Sequence, residues 1–149
     1  MARRLVNRLL VAALAAASLF AAWAWLRPYA FGPDPAAGCT IEGAQLRRDR
    51  SNYWLDLHLR PAKDRSFALS SPVRLRTAAG REIEPAATEF SPPPGRPATD
   101  IWFKFWLESS DLERGLDLRI QQGSLRVKST DGIPAMDSGA SRYFTSSRW

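Results

Sequence analysis

One cysteine and one histidine occur in 149 residues, and that scarcity removes several kinds of chemistry at once. Cys39 has no partner within the chain, so no intramolecular disulfide can form. A cysteine-built zinc site is excluded, and His58 alone leaves little from which to assemble a histidine cluster. No phosphate-cradling glycine loop, zinc-ligand spacing or nucleophile elbow is present. His58 lies two residues from Asp56 on one strand face, but a hydrolytic triad also needs a nucleophile brought to it, and no local motif supplies one. Among the 15 acidic residues no pair is set apart as glycosidase carboxylates would be. The chain therefore reads as a non-enzyme without catalytic residues, metal or cofactor, and a small hydrolase centred on His58 ranks last among its functions.

Acid is also missing from one stretch in particular: none occurs before Asp34. The isoelectric point near 10.2 and the net charge of +6 suggest a nucleic-acid binder until their distribution is examined. Four of the 21 basic residues, Arg3, Arg4, Arg8 and Arg27, flank an apolar run. Beyond them 17 basic residues face 15 acidic ones. Such a balance releases few counterions on a phosphate backbone, so nucleic acid is not expected as a partner.

That apolar run, Leu9 to Leu26, has 18 residues without a charge. As a helix it would span ~27 Å, close to the hydrocarbon core of a bilayer. It is rich in Ala and Leu, which favour helix, and Trp23 and Trp25 stand at its far end, where interfacial indoles collect. Arginines crowd the near end, which predicts the N-terminus inside and the rest of the chain outside. Residues 1–27 thus read as a membrane anchor or signal segment, with residues 9–26 in the membrane. An uncleaved anchor ranks ahead of a cleaved signal, because the small-residue pattern after the tryptophans is poor. Ala36-Ala-Gly-Cys39 resembles the end of a bacterial lipobox, but the apolar run ends 12 residues earlier, so a lipid anchor ranks lower still. Residues 28–39, with Pro28, Pro33 and Pro35, read as a spacer.

Residues 40–149 then hold one modest domain, expected in the periplasm or outside the cell. Tyr53 to Arg60 alternates cleanly, with Tyr53, Leu55, Leu57 and Leu59 on one face and Trp54, Asp56, His58 and Arg60 on the other. Ile101 to Glu108 does the same, setting Ile101, Phe103, Phe105 and Leu107 against Trp102, Lys104, Trp106 and Glu108. A period of two is the signature of a half-buried strand. Further strands are expected over Thr40–Leu46, Ser66–Ser70, Val73–Thr77, Leu116–Ile120, Leu125–Lys128 and Arg142–Trp149, while 82–90 is ambiguous. A single helical turn fits the segment after Ser109. Seven or eight short strands between Pro, Gly and Ser turns predict an all-β fold: an antiparallel β-sandwich, loosely immunoglobulin-like, behind one N-terminal transmembrane helix. A small barrel is the alternative. The Cys-Trp-Cys spacing of true immunoglobulin domains is absent.

The distinctive chemistry is aromatic. Trp54, Trp102 and Trp106 share the nominally outward faces of the two strongest strands. Trp102 and Trp106 lie about 13 Å apart on one side of the sheet, with Lys104 between them. Core packing of these rings is the simplest reading, since both faces of the strand are apolar. If they are exposed, Trp54, Trp102, Lys104 and Trp106 form a binding surface. A protein partner in an envelope or membrane assembly then ranks ahead of a glycan, whose sugar rings stack on indoles. The expected function is a membrane-tethered structural or protein-binding accessory subunit, with a carbohydrate-binding module as the alternative.

Overall fold

The computed structural model describes residues 2–26, 30–63, 67 and 69–149. It divides into two compact units, Met1–Ala30 and Phe31–Trp149. The first contains one helix, α1, Ala2–Leu26. Its segment Val6–Trp25 is the one helix among the described residues that is long and apolar enough to cross a membrane, and none of that segment is buried. A signal sequence meets the same test. Leu14, Leu19, Phe20 and Trp25 are all more than 65% exposed, so in water this helix would present apolar surface with nothing against it. Arg27 and the start of the proline-rich stretch, Pro28 and Tyr29, lie outside the described residues.

The second unit is built of strands. These are β1 (Cys39–Asp49), β2 (Asn52–Pro61), β3 (Arg74–Thr77), β4 (Glu82–Ile83), β5 (Ala87–Ser91), β6 (Asp100–Glu108), β7 (Leu116–Ile120), β8 (Gly123–Lys128) and β9 (Ser141–Phe144). They form two sheets whose neighbouring strands all run antiparallel: sheet A in the order β5-β6-β2-β1-β9, and sheet B in the order β4-β3-β7-β8. A short 3-10 turn, Ser109–Leu112, follows β6 where a helical turn is expected.

Alternation decides which faces meet. In β2, Tyr53, Leu55, Leu57 and Leu59 are buried, and in β6 Ile101, Phe103, Phe105 and Leu107 are completely so. Leu75, Leu116, Leu118, Leu125 and Val127 from sheet B join them in a single apolar cluster. Each fully buried Leu or Phe contributes roughly 1.5–3 kcal/mol relative to exposure. The alternating partners, Trp54 and Trp102 among them, are left on the other side. The indoles are thus not core side chains, contrary to the simplest reading of their sequence pattern.

Other segments depart from expectation for identifiable reasons. Residues 82–90 are not one strand: Pro85 interrupts them, and the halves join different sheets. Of the strand expected over Ser66–Ser70, Ser66 and Ala68 fall outside the described residues, and Phe67, Leu69 and Ser70 are not in a strand. The C-terminal strand stops at Phe144. Beyond it the chain turns back, stacks Trp149 on Phe144 at 4.5 Å and donates Trp149 Nε1 to the Val127 carbonyl at 2.9 Å.

Part of the proline-rich stretch is fastened to sheet B. Asp34 accepts from the Ala36 amide at 3.0 Å, which starts the 3-10 turn Pro35–Ala37, and from the Ser124 amide at 2.8 Å. These two backbone donors hold the Asp34 carboxyl below its ordinary range. Ala37 is fully buried. It packs so closely on Gly123 that any β-carbon there would overlap the Ala36–Ala37 backbone. Cys39, next in line, is 3% exposed, and burial pushes its thiol up to about 12. An acylated sulfur needs room that this position lacks.

Candidate functional site

The candidate site is the face of sheet A turned away from the apolar cluster. Antiparallel pairing of β2 with β6 sets Trp54 opposite Trp106, Asp56 opposite Lys104 and His58 opposite Trp102. All four residues singled out from the sequence therefore come together, and the register adds two polar neighbours, Asp56 and His58. Direct cross-strand pairs of this kind each contribute roughly 0.2–1 kcal/mol.

Trp54 and Trp106 meet at 4.5 Å between centroids, with planes 62° apart. This edge-to-face contact is the arrangement favoured by the indole quadrupole. The Lys104 ammonium lies 5.7 Å from the Trp54 ring centroid and 3.6 Å from Asp56 Oδ1, so it serves both a cation–π contact and an ion pair. Trp106 remains 37% exposed. One turn of the pleat away, His58 stacks on Trp102 at 4.9 Å with planes only 5° apart. Neighbouring strands lie ~4.8 Å apart, so two parallel rings at that spacing stand upright on the sheet and present their edges outward.

His58 finds its acid across the sheet. Its Nε2 is 2.8 Å from Asp100 Oδ1, while Asp56, the acid beside it in sequence, is given over to Lys104. Thr99 donates its hydroxyl to Asp100 Oδ2 at 2.9 Å, and Arg60 bridges Asp100 at 3.8 Å to Glu42 at 3.3 Å. The His58 hydrogen bond, then that of Thr99, holds the Asp100 carboxyl below its ordinary range. This network clamps one end of the aromatic face. Among the described residues Asp100 is the side chain that His58 is bonded to.

Tyr143 of β9 extends the face toward the other edge. It is 61% exposed, and its hydroxyl end lies against Gly43 of β1, where a β-carbon would overlap the phenol oxygen. Gly43 is paired with His58 and follows a bulge in β1 at Ile41–Gly43, a device that re-aims neighbouring side chains. Asp100 and Gly43 escape sequence reasoning because both act across strands. The isolated glycine inside an alternating segment is the one local signal of a close approach.

Among the described residues no group of His, Cys, Asp and Glu could hold a metal ion. Compared with known protein families, curated proteins and solved structures, the chain matches none.

Proposed function

We propose that this chain is a membrane-tethered β-sandwich module outside the cytoplasm, and that it binds a protein partner of an envelope or membrane assembly through the outward face of sheet A. The observation that carries this reading is the cluster of Trp54, Trp102, Trp106 and Tyr143 on one solvent-facing sheet, interleaved with Lys104, Asp56 and Asp100. Aromatic anchors ringed by polar groups are the usual composition of a protein interface. A sugar ring, by contrast, stacks on a free indole face. Here Lys104 and Trp106 engage Trp54, and His58 covers one side of Trp102, which favours protein over glycan.

The sandwich reading rests on one apolar cluster shared by both sheets. Its strand order supports the immunoglobulin-like form: β5-β6-β2-β1 and β4-β3-β7-β8 follow the D-E-B-A and C′-C-F-G orders of that architecture, with β9 added beside β1. In place of the antibody-type disulfide, β2 and β7 carry fully buried leucines. Export rests on Arg3, Arg4 and Arg8 before the apolar run Leu9–Leu26. Protease added to the outside of intact cells, or to the periplasmic side of spheroplasts, should digest residues 31–149; full protection would reverse the orientation.

Affinity capture of the detergent-solubilised full chain tests the binding. A defined protein recovered with the natural sequence should be lost with Trp102→Ala/Trp106→Ala, the variant remaining folded by circular dichroism. Equal recovery with both would refute a role for this face.

A further inference from the structure

Four strand edges bound the two sheets, and they are treated differently. The β8 edge is covered: Asp34 accepts from the Ser124 amide at 2.8 Å, and Trp149 Nε1 donates to the Val127 carbonyl at 2.9 Å. The β4 edge has two residues, and β9 has four. The β5 edge has five, Ala87–Ser91, and among the described residues no strand lies beyond it. The Ser91 carbonyl accepts from the Thr99 amide at 2.8 Å, which turns the polar groups of Ser91 toward β6. Alternation then turns the amides and carbonyls of Thr88 and Phe90 away from β6, without ladder partners.

Beside the inner face of this same edge lies an open groove of about 600 Å³. Leu69, Pro72, Val73 and Pro85 line it beside two serines and the Arg74–Glu84 ion pair, and it reaches down to Phe103. On the outer face of β5, Glu89 stands opposite Trp102 without an ion pair among the described residues. The edge therefore offers three things to a chain laid along it: main-chain hydrogen bonds, a trough with an apolar floor and a polar rim for alternate side chains, and a carboxylate on the outer face.

We propose that β5 is a strand-addition site, which takes an extended segment of a protein partner with apolar residues at alternate positions and a basic residue facing Glu89. Main-chain pairing supplies affinity in this mode, and the groove supplies selectivity. The proposal rests on the reading of the chain as a protein-binding module and adds a second contact at the border of the aromatic face.

Phage-displayed random decapeptides panned against the full chain in nanodiscs test it. Enriched peptides should alternate apolar with polar or basic residues and slow amide exchange over residues 87–91. Thr88→Pro deletes an outward amide at a position where an edge strand tolerates proline, and should weaken a synthetic selected peptide about tenfold, whereas Thr88→Val should leave it within about twofold. If Thr88→Pro does not fold, Glu89→Lys supplies the second arm and should shift the selected peptides from basic to acidic. Peptides without alternation, unchanged binding to Thr88→Pro, unchanged preference with Glu89→Lys, or a β5-mediated dimer of the chain itself would each overturn the proposal. Peptide binding that survives Thr88→Pro but disappears with Trp54→Ala/Trp106→Ala would remove strand addition and leave the aromatic-face reading standing.

Discussion

The two sheets turn chemically opposite faces to the same solvent. Outward from sheet B come Arg74, Arg76, Arg119 and Arg126, and three of them are answered by acids: Arg74 by Glu84, Arg119 by Glu82 at 3.7 Å and Arg126 by Asp117 at 2.6 Å. Outward from sheet A come three indoles, an imidazole and a phenol, set among the ion pairs of Lys104 with Asp56 and Arg60 with Glu42. Both faces are knitted by cross-strand pairs, so pairing alone does not distinguish them. What differs is the cost of leaving each wet. Charged pairs are soluble and contribute little when exposed. Aromatic surface left in water forgoes burial worth roughly 25 cal/mol per Å². A face that retains such surface makes sense when something covers it.

Changes on the two faces should separate binding from stability. The largest effect is expected for Trp54→Ala/Trp106→Ala, which should cost at least about 2 kcal/mol of partner affinity, near thirtyfold, as interface anchors do. Arg119→Ala/Arg126→Ala on sheet B should change the same Kd by less than about twofold, since exposed ion pairs contribute ~0–1 kcal/mol even to their own sheet. Calorimetric titration of the identified partner measures both, and equal losses would abolish the distinction.

Next is Gly43→Ala. Its β-carbon would displace Tyr143 from β1 and should destabilise the domain by about 1–3 kcal/mol, as overpacking does, in a urea melt. Ser124 is an outward position of sheet B, but its amide binds Asp34 rather than its side chain, so Ser124→Ala should be near neutral by the same melt.

Acid gives a smaller and more selective effect. Asp100 has its carboxyl held below the ordinary value of 3.8 by His58 and Thr99. The folded state therefore binds the proton less readily than the unfolded chain. Its contribution is present above about pH 4 and is lost as pH falls through the lowered folded value. Asp100→Asn should flatten that acid limb of the stability profile. Asp117→Asn on sheet B serves as the reference; an identical flattening there would show that the His58 network is not special.

The smallest change concerns Cys39. Its thiol, raised to about 12, should resist maleimide at pH 8 in the folded chain and react after denaturation. Rapid labelling of the native protein would place the sulfur outside the core and reopen acylation.

Much of this arrangement is legible from local pattern. Tyr53–Arg60 and Ile101–Glu108 alternate over whole strands, and the structure extends each by only one or two residues. Leu116–Ile120 keeps its bounds without change. Which face turns inward is not legible, because Ile101, Phe103 and Phe105 compete with Trp102 and Trp106 in apolarity. The contest is settled by the partner sheet: four leucines, Ile120 and Val127 from β3, β7 and β8 meet the Phe and Leu face. The network at the end of the site is also hidden from local reading. His58 and Asp100 are 42 residues apart and meet only through the β2–β6 register, whereas Asp56 is the acid nearest in sequence. Residues 82–90 are ambiguous by pattern, because Pro85 divides them into two short strands that join different sheets.

The most direct test places a photo-crosslinking amino acid at position 106 on sheet A and, in a second chain, at position 126 on sheet B, each in the full-length protein in its native membrane. The expected result is one adduct of defined mass from position 106 that disappears with Trp54→Ala, and none from position 126. Adducts of equal yield from both positions, or none from position 106, would contradict the assignment of the aromatic face as the binding surface.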